Sequence, residues 1–207
     1  QFLALLTGNV SSKLPCQKWV CQGKKIPCHF PKQVNDPAFI EVIRRSGADL
    51  VLMRISQLMK ADILSATPHG MWCIHSSLLP AYKGISSEFH SIRCGEPNIG
   101  TSVFQVVLKI DEGQVLRQCQ MPIDRSRSTF WHRVQNNRAA GQMLRHCLEE
   151  LQATGTVEPK RVEPQKPHSY HSWPNSAEVD QVLASGVPLI TLGEAWDHLL
   201  TCLQLRR

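Results

Sequence analysis

The chain of 207 residues lacks any apolar run close to the roughly 20 residues that a membrane-spanning helix requires. Its first segment, Gln1 to Leu6, is too short for a secretion signal and has no basic flank. An initiator methionine is also absent, which favours a fragment or a processed product. These absences predict a cytoplasmic protein with no membrane partner.

The chain also lacks a long run of one charge sign. An excess of 23 Lys and Arg over 17 Asp and Glu gives a net charge of +6, but the basic residues occur in scattered pairs such as Arg44-Arg45. This charge is compatible with an anionic partner, for example a phosphorylated substrate or RNA. A basic solvated surface explains scattered pairs better than a nucleic-acid interface does, so we predict no nucleic-acid partner.

Cysteines are too sparse for a disulfide scaffold, since eight occur in 207 residues and they are spread through predicted core elements. Reduced thiols in a cytosol-like compartment fit this distribution. Cys16, Cys21, Cys28 and His29 form a cluster that suggests zinc, but its spacings match no common structural site and Pro27 interrupts it. Buried thiols are the other interpretation of the cluster, and we predict no metal.

What the chain does contain is the composition of a globular protein, with 42% hydrophobic and 19% charged residues. We expect one α/β domain over residues 1–155. Residues 156–172 are rich in Pro, Lys, Gln and Ser, which predicts a surface linker. Two short amphipathic helices, Pro174–Gly186 and Leu192–Leu205, predict a helical tail over residues 173–207 that packs on the domain.

The middle of the chain has the pattern of a βαβ unit. Asn35 or Asp36 caps a helix that has Pro37 at its first position and ends at Gly47. A continuous apolar strand, a helix and a second strand follow: Asp49–Met53, Ser56–Ala66 and Gly70–His75. This order predicts an open, mostly parallel, Rossmann-like sheet with flanking helices, whose sites lie at the carboxyl ends of the strands.

Further elements follow the βαβ unit. Ile85–Cys94 has helical spacing, and Gly100–Ile110 and Gln114–Ile123 are β-rich runs that fit either an antiparallel hairpin or a crossover. The longest helix begins at Ser128-Thr129 and ends at Gly155. Its apolar residues are expected on or near the inner face: Phe130, Trp131, Val134, Ala139, Met143, Leu144, Cys147, Leu148 and Leu151.

Two polar residues stand at places where α/β sheets carry chemistry. His75 ends a predicted strand and precedes the small polar residues Ser76 and Ser77, while Asp111 begins the turn Asp111-Glu112-Gly113 after the next β run. An aspartate next to a histidine orients the imidazole and raises its pKa, which makes it a proton donor near neutral pH. A core histidine and a plain turn are the alternatives, since turns commonly use Asp and Gly. As a spaced pair, the two residues predict an acid–base site.

The segments Met53-Arg54-Ile55, Cys73 to Gly84 (C-I-H-S-S-L-L-P-A-Y-K-G) and Asp111 to Leu116 carry a family resemblance. They resemble the folate-dependent formyltransferases, which include the glycinamide ribonucleotide, methionyl-tRNA and amino-sugar formyltransferases. The family pattern is N-x-H-x-S-L-L-P-x-x-x-G followed downstream by D-x-G. The match is collinear from about Ile26 to Leu151, and the S-L-L-P-x-x-x-G block is specific.

The resemblance implies transfer of a formyl group from 10-formyltetrahydrofolate to a primary amine, without a metal. The amine attacks the formyl carbon and gives an oxyanion. In the family an Asn amide lies near this oxyanion together with a His imidazolium, and an Asp holds the His and helps to move protons. His75 and Asp111 match the last two. The resemblance also implies a pterin site formed by Met53, Arg54, Ile55, Asp111 and Gly113. It places Ser77, Lys83 and Gly84 on the substrate side.

One departure from the family concerns the catalytic block itself. Cys73 stands where the family has the Asn, and a thiol is a weaker hydrogen-bond donor than an amide. Cys73 therefore has three interpretations: changed formyl-transfer chemistry, an impaired homologue that binds folate or a partner protein, or a Cys-His-Asp acyl-transfer or hydrolase site. The last is conceivable because residues two apart on a strand share a face.

The other departures concern the ends of the chain. About 25 residues precede Ile26, too few for the strand–turn–helix–strand with which the family begins, so we expect a truncated sheet. About 50 residues follow Gly155, too few for the β-barrel with which the transfer-RNA enzyme grips its substrate. We therefore predict a small-molecule amine as the substrate; a ribonucleotide, an amino sugar and an aminoacyl group all stay open.

Overall fold

The computed structural model describes residues 4–7, 23, 27, 29, 31–54, 57–162 and 169–204. The strands are β1 (Ala4–Thr7), β2 (Val51–Arg54), β3 (Met71–His75), β4 (Lys83–Gly84), β5 (Asn98–Gln105), β6 (Val115–Pro122) and β7 (Tyr170–His171). The helices of the described part are α1 (Pro37–Arg45), α2 (Ala61–Leu64), α3 (Ser87–Arg93), α4 (Thr129–Thr154), α5 (Ser176–Ala184) and α6 (Leu192–Gln204). No helix among the described residues is long and apolar enough to cross a membrane.

The strands form a mixed sheet. Five of them are hydrogen-bonded in the order β1–β2–β3–β5–β6, and β4 pairs with β7 separately. The pairs β1–β2 and β2–β3 are parallel, whereas β5 and β6 are antiparallel with a register shift between Val103 and Phe104. The α/β fold with flanking helices is thereby confirmed, and the β-rich runs around Asp111 form a hairpin rather than a crossover.

The described chain falls into two compact units, and the first contains residues 1–73 and 105–110. Helix α1 of this unit begins as expected, with the Asp36 carboxylate accepting a hydrogen bond from the Ala38 backbone N–H and with Pro37 in the first turn. The apolar face of α1 packs against β2 and β3. The buried residues of this core are Val34, Phe39, Ile40, Ile43, Val51, Met53, Met59, Ile63 and Met71. The division expected at residues 155 and 172 stays a prediction.

The predicted helix Ser56–Ala66 is wrong in its extent, because only α2 is helical. Instead of continuing the helix, the residues before α2 form hydrogen bonds with residues 34 and 35. Asn35 donates to the Leu58 carbonyl at 2.8 Å and accepts from the Lys60 backbone N–H at 2.9 Å. These long-range hydrogen bonds hold residues 58–60 in a non-helical conformation.

The second unit contains residues 74–104 and 111–207. Its core joins α3, β5 and the chain around α5 through five buried residues: Phe89, Ile92, Ile99, Val182 and Val187. The helix α6 also contacts this unit, since the Glu194 carboxylate accepts a hydrogen bond from the Ser128 backbone N–H. Both C-terminal helices thus pack on the unit that contains the end of β3.

Helix α4 begins and ends where the sequence predicts, capped by the Ser128 hydroxyl and by Gly155 at φ 78°. Of the residues expected on or near its inner face, Met143 and Cys147 are fully buried and the others half-buried. The fully buried face also contains His132, Asn136 and Ala140, which the sequence did not indicate. Two polar residues are buried there because each has a backbone partner. The His132 Nε2 accepts from the Asp124 N–H, and the Asn136 amide donates to the Gly100 carbonyl.

Candidate active site

His75 and Asp111 lie side by side in the second unit. The His75 Nδ1 is 3.7 Å from the Asp111 Oδ2, and the two side chains are only 10% and 14% exposed. The strand β3 ends at His75, and Asp111 lies in the loop that connects β5 with β6. The two residues that the sequence predicts as an acid–base pair are therefore brought together.

The other ring nitrogen of His75 is oriented by a backbone carbonyl. Its Nε2 is 3.0 Å from the Tyr82 carbonyl oxygen, which can only accept, so Nε2 carries a hydrogen and donates it. The Ser87 hydroxyl, 3.2 Å from the same nitrogen, donates to this carbonyl at 2.8 Å. Nδ1 is consequently the nitrogen that takes up or releases a proton, and it faces the Asp111 carboxylate.

Asp111 is anchored to the loop that follows β3. Its Oδ2 accepts a hydrogen bond from the Gly84 backbone N–H at 2.9 Å. The same oxygen is the one that faces His75. The carboxylate thus links the end of the S-L-L-P-x-x-x-G block to the imidazole.

Unusual backbone conformations gather around this pair. Among the described residues, the non-glycine positions with positive φ are Tyr82 at 54°, Ser86 at 55° and Asp111 at 49°. Aspartate tolerates the left-handed region better than tyrosine does, and each such conformation costs on the order of 1–3 kcal/mol. Such strain is concentrated at functional sites in proteins, which agrees with the position of the His75–Asp111 pair.

The loop between His75 and Gly84 is held by internal hydrogen bonds. The Ser77 hydroxyl, in a residue only 2% exposed, donates to the Ala81 carbonyl at 2.7 Å. The Ser102 hydroxyl donates to the Ser77 carbonyl at 2.6 Å and accepts from the Leu79 N–H at 3.1 Å. Ser77, expected on the substrate side, therefore holds the loop rather than facing solvent.

A cavity of about 340 Å³ adjoins Asp111. Lys83 lines it and is 7% exposed, with its Nζ 3.1 Å from the Glu112 carboxylate. Gly113 and Lys160 line it as well. The sequence prediction missed Glu112 and the second lysine, although the position of Glu112 next to Asp111 was a usable signal. Lys83 and Lys160 balance the charges of Asp111 and Glu112 in the lining, so the cavity presents polar groups of both signs beside the His75–Asp111 pair.

A second cavity, of about 370 Å³, is lined by Leu78, Leu79, Ala81 and Tyr82 of the same loop, together with Glu96. There the Tyr82 hydroxyl donates to the Glu96 carboxylate at 2.5 Å. Burial, assisted by this hydrogen bond, raises the pKa of the Tyr82 phenol, which keeps it protonated. The side chain of Tyr82 is thus anchored, while its carbonyl orients His75.

The other site residues predicted from the sequence lie in the first unit or outside the residues that the structure describes. Met53 is buried and Arg54 exposed at the end of β2, and Ile55 lies outside the described residues. Cys73 is partly buried on β3 and forms no disulfide. Cys16, Cys21 and Cys28 of the possible zinc cluster lie outside the description, and the described part of the chain contains no group of three His, Cys, Asp or Glu arranged for a metal.

The short strand β7 covers the loop that carries Lys83 and Gly84. β4 and β7 pair in parallel, with Lys83 opposite Tyr170 and Gly84 opposite His171. Gly84 has φ 93°, and a Cβ at this position would lie 2.2 Å from the His171 carbonyl oxygen. The close approach of the two backbones therefore requires glycine.

Replacing Gly84 by alanine is expected to lower the free energy of unfolding by about 3 kcal/mol or more, because strain at positive φ adds to a clash with backbone. Gly155→Ala is the matched control, since Gly155 has φ 78° but no atom lies within 4 Å of the position that a Cβ would take; it should cost only about 1 kcal/mol. Urea unfolding of both variants measures the difference. Equal losses in the two variants would contradict the close approach.

The ring of His171 is stacked between two other rings. Its centroid is 4.3 Å from that of His90 and 5.4 Å from that of Tyr82, with interplanar angles of 23° and 19°. Burial lowers the pKa of His171, and the nearby His90 and Arg93 lower it further, opposed by Glu178. The stacked ring is therefore neutral at neutral pH.

This lowered pKa makes the stability of the fold depend on pH. Below about pH 6.5, where an unperturbed histidine gains a proton, the unfolded chain binds more protons at His171 than the folded chain does, so acidification destabilises the fold. We expect the melting temperature to fall more in the wild type than in His171→Phe when pH is lowered from about 7.5 to about 5.5. His146→Gln, at an exposed histidine, should keep the wild-type dependence. Identical pH profiles for wild type and His171→Phe would refute the effect.

Comparison with known proteins places this site in a family. The family model described as formyl transferase matches residues 12–144, which include His75 and Asp111. The chain belongs to the formyl transferase family, and the resemblance found in the sequence is confirmed.

Curated and solved relatives are consistent with that assignment. The methionyl-tRNA formyltransferase of Phenylobacterium zucineum is 26% identical over 77% of this chain and 52% of its own. The formyltransferase PseJ from Anoxybacillus kamchatkensis superimposes with a TM-score of 0.61, covering 93% of this chain and 94% of its own at 16% identity. Glycinamide ribonucleotide transformylase 1 from Symbiobacterium toebii superimposes with a TM-score of 0.57, covering 68% of this chain and 69% of its own at 21% identity. The chain spans 34% to 52% of the length of the curated relatives it matches.

Proposed function

We propose that this protein transfers a formyl group from 10-formyltetrahydrofolate to a primary amine of a small molecule. The observation that carries the proposal is the His75–Asp111 pair, with its atoms 3.7 Å apart in the block that matches the formyl transferase family. Membership of the family supports formyl transfer as the reaction class. The identity of the donor, the class of amine and the roles of the residues are parts of the proposal.

His75 acts in this proposal as the residue that stabilises the oxyanion and moves the proton. The donor supplies an activated formyl carbon, whose bond to nitrogen breaks as a bond to the amine forms. The proton lost by the attacking amine is transferred to the departing nitrogen, and a protonated His75 Nδ1 can donate to the developing oxyanion. Asp111, whose Oδ2 is 3.7 Å from the His75 Nδ1, holds the ring in position.

The residues around the pair fit a folate as the donor. Folates carry carboxylates that Lys160 in the lining of the cavity beside Asp111 would bind, whereas Lys83 in the same lining pairs with Glu112. The PseJ structure was solved with tetrahydrofolate, which supports the same donor here. Met53, Arg54 and Ile55 stay predicted folate-binding residues on the sequence pattern alone.

The acceptor in this proposal is a small amine, and the structural likeness to PseJ supports it. PseJ, which is covered over 94% of its length, was solved with a UDP-linked formamido sugar. We propose that Lys83 faces the acceptor, whereas Ser77 and Gly84 shape the loop through their backbone and hydroxyl contacts. A cytoplasmic location and a place in one-carbon metabolism stay predictions.

A direct assay tests the proposal. The protein is incubated with 10-formyltetrahydrofolate and, separately, an amino-sugar nucleotide, glycinamide ribonucleotide and methionyl-tRNA, while tetrahydrofolate release is followed. Calorimetry with 5-formyltetrahydrofolate measures folate binding in parallel. Formylation of one of the two small amines is expected. Formylation of the transfer RNA alone would contradict the acceptor class, and absence of both folate binding and transfer would contradict the function.

An impaired homologue that binds folate without turnover is the second candidate. The observation that favours it is Cys73, which stands at the position of the family's Asn. Folate binding by calorimetry with no transfer to any of the three acceptors would support this candidate. A Cys-His-Asp acyl-transfer or hydrolase site stays a prediction, and hydrolysis of activated esters that is lost in Cys73→Ala would be its signature.

A further inference from the structure

We infer that the segment Ser169–His171 positions the catalytic pair, with Ser169 and His171 as positioning residues that act through the loop after β3. The segment acts on His75 and Asp111 through the backbone of this loop, which contacts both of them. Its effect on catalysis rests on the proposed function, whereas its effect on the geometry of His75 does not.

Three hydrogen bonds join the segment to the loop. The Ser169 hydroxyl accepts from the Tyr82 N–H at 3.0 Å, and the Ser169 carbonyl accepts from the Lys83 N–H at 2.8 Å. The His171 carbonyl accepts from the Ile85 N–H at 2.9 Å. Hydrogen bonds to Ser169, which precedes β7, and to His171 of β7 therefore hold the backbone on either side of Gly84.

Two of the loop residues held in this way also hold the catalytic pair. The Tyr82 N–H that donates to Ser169 belongs to the residue whose carbonyl accepts from the His75 Nε2. Gly84 lies opposite His171 in the register and donates to the Asp111 carboxylate. His75 and Asp111 thus each form a hydrogen bond with a backbone group of the loop, and the segment Ser169–His171 holds that backbone in place.

The conformation of the loop explains why the hydrogen bonds from Ser169 and His171 are needed to hold it. Tyr82 has φ 54°, a left-handed conformation that a tyrosine adopts only when surrounding contacts require it. Gly84, with φ 93°, approaches the His171 carbonyl so closely that no Cβ fits. Without the segment, the loop is expected to relax toward ordinary φ values and to move the Tyr82 carbonyl and the Gly84 N–H.

The segment itself is anchored by the ring of His171. The ring lies between Tyr82 and His90, and His90 additionally donates from Nε2 to the Ser172 carbonyl at 3.1 Å. Because the His171 ring is neutral and stacked, a phenyl ring is the conservative replacement and a methyl group the disruptive one. The segment and the loop are 87 residues apart in the chain at the Tyr82–Ser169 contact.

Four variants test the inference in two matched pairs. Ser169→Ala removes the hydroxyl acceptor and Ser169→Thr keeps it, while His171→Ala removes the stacked ring and His171→Phe keeps a ring. Ser185→Ala, which removes a hydroxyl bonded to the Val182 carbonyl elsewhere in the same unit, is the control for general loss of a serine hydrogen bond. The NMR chemical shifts of the His75 ring are read in every variant, and formyl transfer is measured as kcat and KM.

The variants Ser169→Ala and His171→Ala should shift the His75 ring signals and lower kcat by about 10- to 100-fold with the donor KM little changed, because small misplacements of catalytic groups are costly. Ser169→Thr and His171→Phe should keep both readouts near those of the wild type, and the control should leave them unchanged.

The outcomes separate this inference from the proposed function. If His171→Ala does not fold, Ser169→Ala decides. Unchanged His75 ring signals in a folded alanine variant would overturn the inference. If the wild type transfers no formyl group, only the proposed function fails, since the ring signals still report the geometry.

Discussion

Replacing His75 by asparagine is expected to lower kcat for formyl transfer by about 10²–10⁴-fold, because general acid–base catalysis by a placed side chain contributes that much. The variant loses the ring nitrogen that faces Asp111 at 3.7 Å. Its KM for the donor should change little, since the imidazole acts on the oxyanion and the proton rather than on folate affinity. Steady-state release of tetrahydrofolate measures both constants.

Two further variants sharpen this test. Asp111→Asn keeps a carbonyl oxygen that can accept from the Gly84 N–H, so it removes the charge beside His75 and leaves the loop anchored. It should lower kcat without lowering the melting temperature by more than a few degrees. His146→Asn, at a histidine whose side chain is 68% exposed, is the control that should keep full activity. A His75→Asn protein with wild-type kcat would eliminate the proposed mechanism.

Replacing Cys73 by asparagine is expected to raise kcat by roughly 10²–10³-fold, the usual effect of one oxyanion donor. The physical reason is that an amide is a strong hydrogen-bond donor and a thiol a weak one. The change also restores the residue that the formyl transferase pattern has two positions before the histidine. The same tetrahydrofolate-release assay measures the gain with the best acceptor.

The controls for this variant separate restored chemistry from altered folding. Cys73→Ser has a hydroxyl of similar size and should gain less than the asparagine variant does. Leu192→Asn, at a side chain that is 92% exposed at the start of α6, should leave kcat unchanged. A loss of activity in Cys73→Asn, with folate binding retained, would indicate that the thiol has chemistry of its own and would favour the Cys-His-Asp alternative.

Taken together, the His75 and Cys73 variants distinguish the two candidate functions. An active transferase predicts a measurable wild-type rate that falls in His75→Asn. A folate-binding homologue predicts no wild-type rate, with activity appearing only in Cys73→Asn. The effect of His75→Asn in the Cys73→Asn background then tests whether the acquired rate uses the same acid–base pair.

Elements with local signals were predictable from the sequence. Asp36 with Pro37 indicated the start of α1, and Ser128 with Gly155 bounded α4, because caps act within a few residues of a helix end. Helix α3 and the two strands β2 and β3 also lie where expected. The failure at Ser56–Ala66 has the opposite cause, because the hydrogen bonds of Asn35 that prevent a longer helix come from more than 20 residues away.

The buried polar residues of α4 were missed for a related reason. Phe130 and Trp131, expected on or near the inner face, are half-buried, whereas His132 and Asn136 are fully buried. A polar residue is buried when a partner is available for it, and these partners, the Asp124 N–H and the Gly100 carbonyl, are backbone groups. Backbone groups have no signature in a sequence, so neither residue could be assigned to the core in advance.

The same contrast between local sequence signals and long-range partners applies to the candidate site. The sequence by itself determined which residue types are present, namely the His75 and Asp111 pair, the family block and the substitution at Cys73, because these are matters of side-chain identity and spacing. Only the tertiary structure decided how the pair is oriented. The Tyr82 carbonyl selects the His75 tautomer, and a segment 87 residues further along pins that carbonyl. Orientation depends on backbone groups brought together by folding, and any residue type supplies those groups.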